Sequence, residues 1–205
     1  LALTAIEEAW SNALPRVGSV SADRIGIYCG TSLSGTTELE EFYDHFLLTG
    51  KTNNLRRLFS GDFSKIIDTI AQQKKILGPR VIVSNACSSS TVVFKLAKAD
   101  LESGKVDVAI VVGVDPLTTL SAGGFTALET LAKERPSPFS MGEFGLALGE
   151  GAGAIVLTRL SGGGKRGVCL SMVGVSADGY HPTAPDPSGQ GTEKAMKQAL
   201  VASNK

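Results

Sequence analysis

Three cysteines and two histidines are the residues of this chain suited to act as nucleophile or base near neutral pH. Cys87 stands out among them by its neighbours, Ser84-Asn85-Ala86-Cys87-Ser88-Ser89-Ser90. Before it, Arg80-Val81-Ile82-Val83 is β-branched and apolar and reads as a buried strand. Behind it, Ser88 to Glu102 carries Val92, Val93, Leu96, Ala99 and Leu101 at roughly helical spacing before Gly104 stops it. Strand, tight turn and helix thus follow one another with the thiol in the turn. A thiol there sits over unpaired helix N-terminal N–H groups and the positive end of the macrodipole, which favour thiolate over thiol. Small neighbours leave room for a substrate, so the expected chemistry is covalent catalysis by a thiolate. The alternative is an inert cysteine packed as a small hydrophobe.

The other polar candidates are weaker. Cys29 and Cys169 fall in strand-like segments, and three widely spaced cysteines fit neither a disulfide framework nor a zinc site, so no metal is expected. His45 lies in an acidic helix near Glu41 and Asp44 and reads as a solvated imidazole. His181 sits in Asp178-Gly179-Tyr180-His181-Pro182-Thr183-Ala184-Pro185, a loop stiffened by prolines, where it serves either a structural hydrogen bond or chemistry. A cysteine hydrolase needs a Cys/His pair with an orienting carboxylate or carboxamide, and no local pair is evident. Gly149-Glu150-Gly151-Ala152-Gly153 superficially resembles a dinucleotide fingerprint, yet it leads into the strand Ala154-Ile155-Val156-Leu157 and not into a helix. Its glycines are expected to serve close backbone packing at a turn.

The elements that must position Cys87 alternate along the chain. A helix with Leu3, Ile6, Ala9 and Trp10 on one face runs to about Leu14, and Pro15 to Asp23 links it to a strand over Arg24 to Cys29. A small-residue turn, Gly30 to Gly35, precedes an acidic amphipathic helix from Thr36 to Leu48. A basic loop from Lys51 to Arg57 leads to a helix from about Asp62 to Lys75. After the cysteine helix, Val106 to Val114 is the continuous apolar run of a strand covered on both faces. Ala152 to Arg159 and Val168 to Ser176 flank Gly162-Gly163-Gly164 as a hairpin-like pair, and a last helix starts near Gly191. This order predicts an α/β fold, an αβα layered domain with a mixed five-stranded sheet.

At 205 residues the chain is expected to form a single domain over 1–205. Twenty basic and twenty acidic residues cancel, so no overall field draws it to nucleic acid or an anionic membrane. Apolar runs such as Val108 to Val114 fall far short of the roughly 20 residues of a membrane helix. A reducing cytoplasm is the simplest compartment. The chain opens on the helical pattern Leu1-Ala2-Leu3-Thr4-Ala5-Ile6, without Met or a signal-peptide pattern, and is expected to be a piece of a longer protein.

Several ordered segments resemble the ketoacyl synthase I/II branch of the thiolase-like condensing enzymes. They are Gly78-Pro79, Asn85-Ala86-Cys87-Ser88-Ser89-Ser90, Val112-Gly113-Val114-Asp115, Gly123-Gly124-Phe125, Pro138-Phe139, Gly145, Leu148-Gly149-Glu150-Gly151-Ala152-Gly153 and Tyr180-His181-Pro182-Thr183-Ala184-Pro185. The resemblance covers nearly the whole chain. Val114-Asp115-Pro116-Leu117-Thr118 is similar to the ketosynthases of polyene-type pathways.

The resemblance implies a decarboxylative Claisen condensation in fatty acid or polyketide synthesis. An acyl group moves from acyl carrier protein onto Cys87 and is extended by malonyl-carrier protein, and the Cys87 N–H forms half the oxyanion hole. It implies no cofactor of the protein's own, since phosphopantetheine arrives on the carrier. Leu33 and Phe125 correspond to acyl-pocket positions, though an ordinary core role fits them equally. Asp178, His181 and Thr183 correspond to a loop at the mouth of the pantetheine tunnel, and Lys51, Arg56 and Arg57 either dock the acidic carrier or form a solvated loop. The strand before Cys87 is implied to pair with its twofold mate in a homodimer, with Arg80 at the rim. Two histidines and a lysine of a second, homologous half complete such sites, so the chain is expected to be part of the first half, lacking its first strand, and inactive alone. Ser140, Glu143 and Phe144 stand where the family has an Asp and an Arg-Asp pair, a departure from the housekeeping fatty-acid subgroup. The alternative is a non-condensing partner or scaffold subunit that keeps the fold and carrier binding.

Overall fold

Two strands of nearly unbroken apolar sequence form the centre of the molecule because both of their faces are covered. In the computed structural model, which describes residues 1–52, 55–62, 64–137, 141, 145–159, 168–181 and 184–201, strand β1 (Ile25–Gly30) is buried at every residue. Strand β3 (Val108–Asp115) is buried over its first five. The sheet runs β2-β1-β3-β4, where β2 is Arg80–Val83 and β4 is Gly151–Thr158. β1 is parallel to β2 and β3, and β4 is antiparallel to β3.

Helices cover both faces, as the period of two along the strands requires. On one face Ile25, Ile27, Cys29, Val108, Ile110 and Val112 pack with residues of α1 (Ala2–Val17) and α4 (Ser64–Lys74). On the other, Tyr28, Ala109 and Val111 pack with Val93, Ala97 and Leu101 of α5 (Ser89–Glu102). The Tyr28 hydroxyl, at the buried centre of that second face, donates to Asp100 at 2.8 Å, and burial followed by this contact holds its pKa far above the ordinary range. At the N-terminal ends of β1 and β3, Asp107 accepts from Arg24 at 2.9 and 3.1 Å and also from Arg159. The Arg24 hydrogen bond is the main reason its carboxyl stays below the usual range.

The expected αβα layers and mixed sheet are present, with four corrections. The sheet has four strands among the described residues, because Val168 to Ser176 forms no ladder. Its polar groups turn to α7 (Gln190–Val201) instead: the Val175 N–H donates to Gln198 Oε1 at 3.2 Å, and Ser176 Oγ donates to Gly191 O. The proposed hairpin turn, Gly162-Gly163-Gly164, lies outside the described residues. β2 is a half-buried edge strand, since only β1 pairs with it among the described residues. The first helix continues through Pro15 to Val17, although Pro15 has no N–H to donate to the preceding turn. Part of the basic loop is α3 (Arg56–Ser60).

One helix was not apparent from the pattern. α6 (Thr119–Ala127) contains Gly123 and Gly124, poor helix formers, and starts from unusually complete capping. Thr118 and Ser121 form a reciprocal capping box, and Glu40 of α2 (Thr36–Thr49) accepts from the Thr119 and Leu120 N–H groups at 3.1 and 2.6 Å. A carboxylate 79 residues away in sequence thus supplies what local propensity lacks.

Candidate active site

Val83, Gly30, Gly113 and Gly153 lie side by side across the four strands. That row is flat because three of its members lack side chains. The first turn of α5 rests on it so closely that a Cβ on Gly30 would come within 2.6 Å of the main chain of Ser89 and Ser90. One on Gly113 would come within 2.3 Å of Ser90 Oγ. Backbone packing at the strand ends therefore fixes where α5 begins, and so where the preceding turn must stand.

Cys87 occupies that turn, exposed, one residue ahead of the N-cap Ser88. Ala86 before it has φ +46°, a left-handed conformation that costs a residue with a Cβ about 1 kcal/mol or more. A net of serines holds it there. Ser89 Oγ donates to Ala86 O at 2.7 Å and accepts from the Asn85 N–H at 2.8 Å; Ser88 Oγ donates to Asn85 O at 2.9 Å and accepts from Asn85 Nδ2 at 2.8 Å. Ser89 is 2% exposed, so its hydroxyl forms these bonds away from water, where they are costly to lose. The result is a sharp strand-to-helix turn that presents the thiol at the C-terminal end of a parallel strand, where ligands of open α/β sheets bind.

The neighbouring turn joins it. Thr31 Oγ1, the Ser32 N–H and the Leu33 N–H all donate to Asp115 Oδ1, at 2.8, 2.8 and 2.7 Å. Ser32 Oγ in turn donates to Ala86 O at 2.9 Å and lies 3.1 Å from Ser89 Oγ. Leu33, half-buried, thereby sits on a loop bonded directly to the cysteine turn. Phe125, also half-buried, lies on α6, which follows β3. Turns after β1 and β2 thus carry Leu33 and Cys87 at one end of the parallel strands, the end at which β3 presents Asp115.

The remaining candidates fall elsewhere. His181 is exposed in the loop that leads toward α7, and Thr183 lies outside the described residues, as do Pro138, Phe139, Ser140, Glu143, Phe144 and the side chain of Arg57. Asp178 organises its loop by accepting from the Asp186 and Tyr180 N–H groups at 3.1 and 3.3 Å, and these bonds, the first foremost, hold its carboxyl below the usual range. His45 is half-buried on α2 and not fully solvated. Among the described residues no group of three or more His, Cys, Asp or Glu side chains is placed to hold a metal ion, and no helix is long and apolar enough to cross a membrane. Asp115, Ser32 and Glu40 are the site-building residues that sequence reasoning missed. The available signal for Asp115 was a carboxylate ending an apolar strand just before Pro116.

The three thiols differ sharply. Cys29 is fully buried in β1, and burial, followed by the nearby Asp115 carboxylate, pushes its thiol up to about 12. Cys169 is exposed and lies outside any strand, contrary to expectation, because the segment carrying it forms no ladder with the sheet. Iodoacetamide at mildly alkaline pH is therefore expected to label the exposed Cys87 and Cys169 and to spare Cys29 in the folded protein, as read by mass mapping. Because the folded pKa of Cys29 exceeds its ordinary value of 9.0, its contribution to stability is intact below that value and falls as pH rises from there toward about 12.

The Beta-ketoacyl synthase, N-terminal domain family model matches residues 1–162, a stretch that includes the cysteine turn and the neighbouring turn bonded to it. The chain belongs to the beta-ketoacyl synthase family. Nodulation protein E of Rhizobium meliloti strain 1021 is 32% identical over 209 residues, covering 98% of this chain and 51% of that protein. A 3-oxoacyl-[acyl-carrier-protein] synthase 2 of Coxiella burnetii is 26% identical over 211 residues, covering 97% and 51%. The ketosynthase ApeO from Xenorhabdus doucetiae, solved in complex with its chain length factor ApeC, superposes with a TM-score of 0.81 at 28% identity over 97% of this chain and 50% of that one. The type II polyketide ketosynthase complex AntDE:AntF has the same fold, with a TM-score of 0.85 at 22% identity over 98% and 54%. The chain spans about half the length of the relatives it matches.

Proposed function

We propose that the full-length protein carrying this chain is a beta-ketoacyl-acyl carrier protein synthase whose acylated nucleophile is Cys87. The observation that carries this reading is an exposed thiol held on a strained strand-to-helix turn within the segment matched by the ketosynthase family. The Cys87 sulfur attacks the carbonyl carbon of an acyl-carrier thioester. The oxyanion that forms is stabilised by the Cys87 N–H, and its collapse expels the carrier's thiol and leaves the acyl group on sulfur. Malonyl-carrier protein then loses carbon dioxide, and the electron pair left on its α-carbon attacks the Cys87 thioester. A carbon–carbon bond forms, the carbon–sulfur bond breaks, Cys87 departs as thiolate, and the product is a β-ketoacyl-carrier protein.

In this reading Leu33 and Phe125 line the acyl pocket, while His181 and Thr183 border the tunnel that admits phosphopantetheine. No cofactor is held by the protein itself. Two histidines and a lysine outside this chain promote decarboxylation, so the chain alone elongates nothing. The enzyme works in the cytoplasm with acyl carrier protein as its partner. Its homodimer forms through β2, whose outer edge, unpaired among the described residues, gains ladder partners from a twofold mate, with Arg80 at the rim. Sedimentation is expected to show a dimer of the full-length protein at micromolar concentration, and a monomer there would contradict this interface. The functional test is malonyl-carrier-dependent elongation of acyl donors of several lengths by the full-length protein and by this chain side by side. Elongation by the full-length protein only is expected; inactivity with every donor would favour a non-condensing partner subunit.

A further inference from the structure

Asp115 concentrates more of the site's polar contacts than any role assigned so far explains. A single carboxylate oxygen accepts three hydrogen bonds from one turn: the hydroxyl of fully buried Thr31 and the N–H groups of Ser32 and Leu33. Bonds to a carboxylate are stronger than neutral ones, and removing the acceptor strands the donors that remain buried. Thr31 Oγ1 also accepts from the Ser34 N–H at 3.1 Å, so the turn's internal bond and its anchor meet at one hydroxyl.

The far end of the turn is held as well. Gly35 has φ +78°, and a Cβ there would lie 1.7 Å from Gly61 O, so the chain passes at backbone contact distance. Between these two anchors Ser32 Oγ reaches across to Ala86 O, the carbonyl of the left-handed residue before Cys87. Asp115, the turn carrying Leu33 and the cysteine turn thus form one bonded unit, assembled from residues more than fifty positions apart.

We infer that Asp115 is a positioning residue that sets acyl-chain selectivity, by locking the turn that carries Leu33 onto the turn that carries Cys87. The inference rests on the condensing reading given above. A pocket wall discriminates between chain lengths only if it cannot yield, because each additional methylene is worth about a 10- to 200-fold preference at most in a rigid apolar site. A turn of small residues freed from its anchor yields, and chains of different length are then accepted more evenly.

The test compares wild type, Asp115→Ala, Asp115→Asn and Thr31→Val in the full-length protein, measuring kcat/KM for a short and a long acyl donor and the thermal midpoint of each variant. Asp115→Ala is expected to shift the preference between the two donors by about tenfold or more, whereas Asp115→Asn, which keeps an acceptor oxygen and the side-chain volume, retains the wild-type preference. Thr31→Val deletes the buried hydroxyl without changing size, so it is expected to shift the preference in the same direction by a few-fold even if the alanine variant does not fold. Equal loss of rate with both donors, tracking the thermal midpoint, would reduce Asp115 to a structural residue and overturn the inference. Wild-type protein that elongates no donor would overturn the condensing reading and this inference with it; active wild type whose preference survives in Asp115→Ala and Thr31→Val would overturn the inference alone.

Discussion

Cys87→Ala in the full-length protein is expected to lower elongation of every acyl donor by about ten-thousand-fold or more, because removing a nucleophile from a covalent mechanism leaves only binding and oxyanion stabilisation behind. The turn should survive the change. Cys87 is exposed, and no hydrogen bond of the serine net uses its sulfur, so the thermal midpoint is expected to stay near wild type. Loss of rate without loss of fold separates a chemical role from a structural one. Cys29→Ala gives the reverse pattern, with lower stability from a cavity in buried β1 and retained elongation.

The second large effect concerns the glycine row beneath α5. Gly30→Val places branched carbon where even a Cβ meets the backbone of Ser89 and Ser90 at 2.6 Å, and backbone cannot rotate aside. The first turn of α5 must then lift from the sheet, carrying the cysteine turn with it. A cost of about 3 kcal/mol or more is expected, at the upper end for overpacking, together with a marked drop in Cys87 alkylation rate. Gly153 is the internal control: it belongs to the same row, but a Cβ there meets nothing within 4 Å. Gly153→Ala is expected to change stability by about 0.5 kcal/mol or less. Urea midpoints and alkylation rates of the two variants check both statements, and equal effects would show that the row does not seat the helix.

What the sequence made legible follows from how local each signal is. β3 read directly as a strand because a continuous apolar run is what two-sided burial demands, and its first five residues are buried; β1, read as a strand from Arg24 to Cys29, is buried throughout. The turn at Cys87 was legible for a similar reason: strand, small residues and helix follow within one short stretch. The fifth strand failed because an apolar run does not say what it pairs with: of Val168 to Ser176 only Val173 is buried, and Val175 and Ser176 bond to α7 instead of to a strand. α6 escaped notice because its two glycines argue against a helix, and the carboxylate that caps it comes from α2. Asp115 belongs to the same class, since Thr31 lies 84 positions away and nothing local marks the pair. Leu33 and Phe125 entered only through family resemblance: Leu33 lies on the turn that Ser32 bonds to Ala86, and Phe125 lies on α6 after β3.

The central claim is that the acyl group is carried on the Cys87 sulfur. Full-length protein mixed with an acyl-carrier donor, digested at mildly acidic pH and mapped by mass spectrometry reads this directly. The account predicts one acyl adduct, confined to the peptide containing Cys87 and discharged when malonyl-carrier protein is added. An adduct on Cys29 or Cys169, or elongation that proceeds with Cys87 never acylated, would contradict it.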